Sequence, residues 1–241
     1  LSSTQISDLS NGVDVTDTLI AEWGFEYPDT NVAIDLTGDP YPRKNVPRSA
    51  GGTAVPTGLA NAVSNGEVLA DNGTIYSTVQ GAVDNASGWV FVGPGTFNEA
   101  VTVSTAGMTI EGSGYDTLID GNTTGSAITI ATSNVSVKNL RVETTAGSGN
   151  NYRGILVDTG GDACTISNVT VSESDKEGVF ITAGADHVVT GCNISNTDDR
   201  GVETQRPRTI VSGCTISNTG GGIRFDADGD DCIAANCVVD T

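Results

Sequence analysis

The 241-residue chain carries 30 Asp plus Glu against 11 Lys plus Arg, a formal charge of −19 at pH 7 with its single His neutral, and this balance excludes a nucleic-acid binder, which needs clustered cations. Hydrophobic residues at 37% are enough for a core, but no apolar run approaches the roughly 18 residues of a membrane span, so no membrane insertion is expected. Aromatics at 5% are scarce and 31 glycines are many, while 21 Asp outnumber 9 Glu and only 3 Lys stand among the cations; small side chains in repetitive layers, and a surface suited to concentrated salt, follow from that composition.

Residues 1–74 read as a separate N-terminal anchoring segment with a linker. Asp14 to Phe25 forms one short helix on its pattern, with Leu19, Ile20 and Trp23 on the apolar side. Tyr41 to Gly52 then holds Arg43, Lys44 and Arg48, three of the eleven cations within six positions. In so acidic a chain that cluster, with Trp23, is the candidate contact for an acidic partner, against the alternative of a solvated linker.

A short amphipathic helix is expected over 77–87, with Ser77 as N-cap and Val79, Ala82 and Val83 on one face. It would cover the open lower end of whatever follows. From there the chain repeats itself. Gly154-Ile155, Gly178-Val179, Gly201-Val202 and Gly222-Ile223 recur at intervals of 24, 23 and 21 residues. Between them recur Ile166 to Val171, Val189 to Ile194 and Val211 to Ile216, alternating apolar with polar or small residues and bounded by turn residues. Two short strands per roughly 22 residues cannot close a core alone, but stacked coils bury one continuous interior. The fold class read from this is all-β, a right-handed parallel β-helix over 75–241. With about 4.8 Å per coil, its six to seven coils stand about 30 Å tall.

The register predicts two inward columns, Leu140, Val169, Cys192, Cys214 and Cys237 in one, Cys164, His187, Thr209 and Cys232 in the other. Parallel stacking gives poor disulfide dihedrals, so the five cysteines are expected as free, buried thiols. His187 between two cysteines raises a metal reading, weakened by the lack of any CxxC or HxxxH pair.

The runs Thr78 to Ala86, Trp89 to Glu99 and Met108 to Gly114, with the later repeats, resemble the opening and coils of pectate-lyase-like β-helix proteins. With the Asp-rich, Lys-poor charge, the chain is similar to those of haloarchaea and of the viruses that infect them, in tail fibres or spikes. Residues 1–74 do not share this resemblance. The scaffold carries lyases, hydrolases, glycan-binding modules and viral tailspikes, so the resemblance speaks for fold more than for function.

Enzymes of this scaffold present carboxylates on the outer face of neighbouring coils. One such column is Arg153, Glu177 and Arg200, expected as a salt-bridged ladder, with Asp175, Asp198 and Asp199 beside it and Glu203 next to Arg224 on the following strand. Asp198, Asp199 and Glu203 are the catalytic candidates, since two carboxylates about 5 to 9 Å apart can hydrolyse a glycoside; Asp175, Glu177, Arg200 and Arg224 are the glycan-binding candidates. Asp226, Asp228 and Asp230 lie in a Gly-containing acidic loop that could wrap Ca²⁺, the one cofactor considered, although EF-hand spacing and its distal Glu are missing. Leu156 and Phe180 point outward in one column, a candidate seam for a homotrimer, with a covering loop as the alternative. The chain stops within a strand repeat, at Ala235 to Thr241, which predicts a longer or docked end. Six Asn-x-Ser/Thr sequons, at Asn72, Asn85, Asn122, Asn134, Asn168 and Asn193, suit an extracellular setting.

Two functions remain open ahead of a third, a cell-envelope glycan-binding module with no catalysis. One is a structural and adhesive virion appendage of a halophilic archaeal virus, a tail fibre, spike or capsid-surface protein anchored through residues 1–74 to other virion proteins and meeting host surface glycan or glycoprotein. The other is a secreted polysaccharide lyase or glycoside hydrolase; the weak catalytic signals favour the first, on a virion surface in high salt.

Overall fold

A computed structural model describes residues 63–122, 125–144, 151–226 and 230–240 of the chain. The expected anchoring residues Trp23, Arg43, Lys44 and Arg48, and Asp228 of the acidic loop, lie outside the described residues.

Within 63–240 the strands fall in three parallel rows. The first holds β3 (Trp89–Val92), β6 (Thr109–Gly112), β9 (Ser136–Lys138), β12 (Thr165–Ser167), β15 (Val188–Thr190), β17 (Ile210–Ser212) and β19 (Ile233–Ala235). The second holds β4 (Gly95–Asn98), β7 (Thr117–Asp120), β10 (Arg141–Glu143), β13 (Thr170–Glu173), the first parts of β16 (Asn193–Thr204) and β18 (Thr215–Phe225), and β20 (Val238–Asp240). The third holds β5 (Val101–Val103), β8 (Ile128–Ile130), β11 (Ile155–Val157), β14 (Val179–Ile181) and the second parts of β16 and β18. Each strand pairs in parallel with its counterpart one coil away, for example Val189 with Ile166 and with Val211. Six three-strand coils and two strands of a seventh make a right-handed parallel β-helix, the hand that parallel crossovers take.

The expected repeat of two strands per coil becomes three for a local reason. The apparently continuous run Ile166 to Val171 breaks at Asn168, whose φ of 52° is left-handed, so β12 ends and β13 begins around a two-residue corner. Asn139, Gly191, Gly213 and Asn236 take the same conformation at the same corner, with φ between 53° and 63°. Asn196 and Asn218 turn the chain between the second and third rows. Asn and Gly tolerate this region, which accounts for their abundance here.

Inward positions are short and branched: Ile110, Val137, Ile166, Val189 and Val211 from the first row, and Ile119, Val142, Val171, Ile194 and Ile216 from the second, are at most 1% exposed. The Gly column that marked the repeat opens the third row, where a Cβ on Gly178 or Gly201 would stand 2.4 Å from Ile194 Cγ2 or Ile216 Cγ2. Both cysteine columns form as expected, since Cys192 precedes Asn193 and Cys214 precedes its partner Thr215, while Cys164 and His187 precede the paired Thr165 and Val188. All five cysteines are free, but only Cys164, Cys192 and Cys214 are buried as expected; Cys232 and Cys237, in the last described coil, are half-buried because no described coil stacks beyond them.

The lower end is closed by α1 (Val79–Asn85), which buries Val79, Ala82 and Val83. Its N-cap is Thr78 rather than Ser77: the Thr78 hydroxyl accepts from Gly81 N at 3.2 Å, and the Glu99 carboxylate accepts from Val79 N and Gln80 N at 2.7 and 3.0 Å. The cap reaches back beyond residue 75. β1 (Val68–Ala70) pairs antiparallel with β3 and with β2 (Ile75–Tyr76), and Val63 and Leu69 bury Trp89 and Phe91 in a cluster of their own.

Candidate functional site

Parallel registry stacks like positions, so the outer side of the third row carries one column: Thr102, Thr129, Leu156, Phe180, Glu203 and Arg224. Strand alternation sends the neighbours Ile155, Val157, Val179, Ile181 and Val202 inward. Leu156 and Phe180 thus sit side by side as expected, but half-buried. The Arg153 guanidinium lies 4.9 Å from the centre of the Phe180 ring, and its Nε donates to Glu177 Oε2 at 2.9 Å.

The expected ladder Arg153, Glu177, Arg200 therefore forms its first rung only. Arg200 turns away from Glu177 because two nearer carboxylates compete for it: its Nη1 pairs with Asp199 Oδ1 and lies 3.3 Å from Glu203 Oε2. Glu203, only 5% exposed, also faces Arg224 Nη1 at 3.8 Å, and Arg224 Nη2 pairs with Asp226 Oδ2 at 3.3 Å. Of the catalytic candidates, Asp199 and Glu203 are thus held in ion pairs, and of the glycan-binding candidates Glu177, Arg200 and Arg224 are too.

Asp175 and Asp198 are different. At the corner between the second and third rows Asp175 is 9% exposed and its N–H donates to Thr144 Oγ1 at 3.3 Å, while its Oδ2 is buried without a hydrogen-bond partner. Burial, then the negative charges of Asp198 and Glu173, push its carboxyl above the usual carboxylate range. The exposed Asp198 is anchored through its N–H to Ser174 O at 3.2 Å. Glu173 was not foreseen; it closes β13 one step before the corner, a position the repeat pattern does not distinguish.

The metal readings gain no geometry. Asp226 is paired with Arg224 and the Asp230 carbonyl accepts from Arg208 N at 2.8 Å; among the described residues no three His, Cys, Asp or Glu converge on a common point. His187 is 1% exposed, its Nδ1 accepts from Cys164 N at 3.3 Å and its Nε2 lies 2.9 Å from Ala183 O. These contacts fit a neutral Nε2–H ring, and burial holds its pKa below the ordinary histidine value.

A second feature escaped the repeat analysis. At the corner between the first and second rows a groove of about 330 Å³ opens beside Glu111, Ser113, Tyr115 and Asn139. Tyr115 is 62% exposed, and the Arg141 guanidinium stands 4.7 Å from its ring centre. The only sequence sign of it is the length of the Ser113–Asp116 corner.

With the geometry in place, comparison with known proteins gives the fold. Residues 126–241 match the family described as right handed beta helix region. No curated protein matches the chain in sequence. Among solved structures, the chain is similar to a pectin methylesterase from Yersinia enterocolitica, with 13% identity, a TM-score of 0.55 and coverage of 69% of this chain and 66% of that one. It is similar to a putative glycosyl hydrolase from Parabacteroides merdae at 11% identity and TM-score 0.50, over 67% and 88% of the two chains, and to ORF18 of Geobacillus virus E2 at 17% and 0.50, over 67% and 44%. The chain spans between 51% and 66% of the length of four bacterial and complexed pectin methylesterases that it matches. At these identities the likeness is one of fold.

Proposed function

We propose that this β-helix is a structural and adhesive part of a surface assembly, a virion appendage of tail-fibre, spike or capsid-surface type in a high-salt setting, that holds glycans of a host envelope. The observation that carries the reading is the outer face at the third row, where Arg153–Glu177 and Asp199–Arg200–Glu203–Arg224–Asp226, three carboxylates against two guanidiniums in the second set, are held in ion pairs on a stack of parallel strands. Such a face suits preorganised contact, in which little freedom is lost on binding. The similar structures include a pectin methylesterase, a putative glycosyl hydrolase and a viral open reading frame, which agree with both a carbohydrate ligand and a viral setting. In this reading residues 1–74 bind other virion proteins, and Leu156 and Phe180 form part of a homotrimer seam.

Light scattering in multi-molar salt tests it. A trimer is expected that Phe180→Asp reduces to monomer, together with retention on immobilised envelope glycan and no release of reducing ends; a monomer without glycan affinity overturns the proposal. One observation favours the second reading, a polysaccharide lyase or hydrolase. Burial, then the charges of Asp198 and Glu173, hold the Asp175 carboxyl above the usual carboxylate range, as a general acid requires. New reducing or unsaturated ends from a polysaccharide, lost in Asp198→Asn, would decide for it.

A further inference from the structure

Every other described corner between the first and second rows has two residues, but between β6 and β7 it has four, Ser113 to Asp116. The extra length lifts Tyr115 into solvent, 62% exposed, while Arg141 from the next coil packs 4.7 Å from the ring centre and fixes one of its faces. Beside the ring lies the groove of about 330 Å³. Its polar wall is already ordered: the Glu111 carboxylate accepts from Asn139 Nδ2 at 3.0 Å and from Lys138 Nζ at 2.9 Å, and the Ser113 hydroxyl lies 2.8 Å from Thr117 Oγ1.

We propose that this groove binds a neutral pyranose unit of an oligosaccharide, stacked on the open face of Tyr115 with its hydroxyls met by Glu111, Asn139 and Ser113. A pyranose has an apolar C–H face that matches an aromatic ring, and its edge carries adjacent hydroxyls that both donate and accept, as a carboxylate beside an amide requires. The charges here are spoken for, Glu111 by Lys138 and Arg141 by Glu143 at 3.1 Å, so an anionic sugar finds no uncompensated cation. Stacking and neutral hydrogen bonds also survive concentrated salt, which screens exposed ion pairs. The volume sits at the lower end for ligand sites, fitting a short segment of a chain rather than a long buried one. The inference rests on the glycan-binding reading but places the contact at a different part of the β-helix from the third-row face.

The test is titration calorimetry in multi-molar salt with cellohexaose, maltohexaose, mannohexaose and, as the charged comparison, hexagalacturonate. At least one neutral hexasaccharide is expected to bind. Tyr115→Ala, exposed enough to leave the fold intact by circular dichroism, weakens it about 3- to 10-fold; Tyr115→Trp restores it, and Arg208→Ala, which breaks only an exposed pair with Asp186 outside the groove, leaves it unchanged. If a neutral sugar binds but Tyr115→Ala leaves it unchanged while Arg200→Ala with Arg224→Ala, on the third-row face, loses it, the groove is overturned and the adhesive reading stands. Preference for hexagalacturonate overturns the neutral ligand, and failure of the whole panel to bind overturns both proposals.

Discussion

Asp175 is where the local chemistry and the stability of the chain pull in opposite directions. Its Oδ2 is buried without a partner, and leaving a buried acceptor unsatisfied costs about 1–3 kcal/mol. The carboxyl is raised by burial and by the charges of Asp198 and Glu173, so the folded state holds this proton more tightly than the unfolded chain does. Its contribution to stability is therefore complete below the unfolded value of about 3.9 and is lost as pH rises through the raised folded value. Asp175→Asn removes that loss. The variant is expected to match the wild type near pH 3.5 and to melt at a higher temperature at pH 7, with a gain of about 1 kcal/mol; calorimetric melting at the two pH values checks it, and an unchanged pH 7 midpoint would refute the assignment. The same residue carries the enzymatic reading, so loss of any sugar-cleaving activity in the more stable variant is the trade expected of a functional acid.

At the level of elements, the stacked columns were legible because a parallel β-helix in register turns sequence period into spatial adjacency: Cys192 over Cys214, and Leu156 beside Phe180, follow from counting alone. The three-row cross-section was not. A left-handed Asn168 turns the chain, and the three-residue step from Ile166 to Val169, which lets both point inward along with Val171, is one extra residue inside a run that otherwise alternates. Tyr115 was missed for the converse reason, since it belongs to the one described corner between the first and second rows that has more than two residues. Glu177 and Arg200 were brought to the same face but not to each other, because side-chain reach, which favours Asp199 and Glu203, is invisible in a column of letters. The Gly column was seen as punctuation, and its physical cause is close packing between coils. Gly201 has no room for a methyl, with Ile216 Cγ2, Cδ1 and Cγ1 at 2.4, 3.1 and 3.2 Å from an ideal Cβ. Gly201→Ala is expected to cost about 1–3 kcal/mol by overpacking against a stiff β-branched side chain. Adding Ile216→Ala opens the space again, so a double-mutant cycle by denaturant unfolding gives a combined cost smaller than the sum of the two; strict additivity would disprove the steric account.

At the scale of the whole β-helix, residues 63–241 carry 22 Asp plus Glu against 8 Lys plus Arg, 8 − 22 = −14 of the chain's −19, on coils stacked about 4.8 Å apart. Repulsion between them is long-ranged, whereas the attractions are local contacts such as Arg208 Nε with Asp186 Oδ1 at 2.6 Å and Arg153 Nε with Glu177 Oε2 at 2.9 Å. Salt separates these two effects by distance. The screening length falls from about 10 Å at 0.1 M to about 3 Å at 1 M, so added salt first removes repulsion between coils while pairs in van der Waals contact keep most of their attraction. Exposed pairs are worth little in any case, about 0–1 kcal/mol each, so their partial loss does not reverse the gain. Because neighbouring coils supply each other's only core, relief of repulsion acts at every interface and its effect accumulates along the stack. The melting temperature is therefore expected to climb steadily from 0.1 M to multi-molar potassium chloride, with most of the rise below about 1 M, where the screening length changes most. Sulfate at matched ionic strength separates screening from exclusion. If relief of repulsion dominates, the chloride and sulfate curves coincide, and a rise seen with sulfate alone would trace the stabilisation to strengthened apolar burial and take away the charge-based case for a high-salt setting.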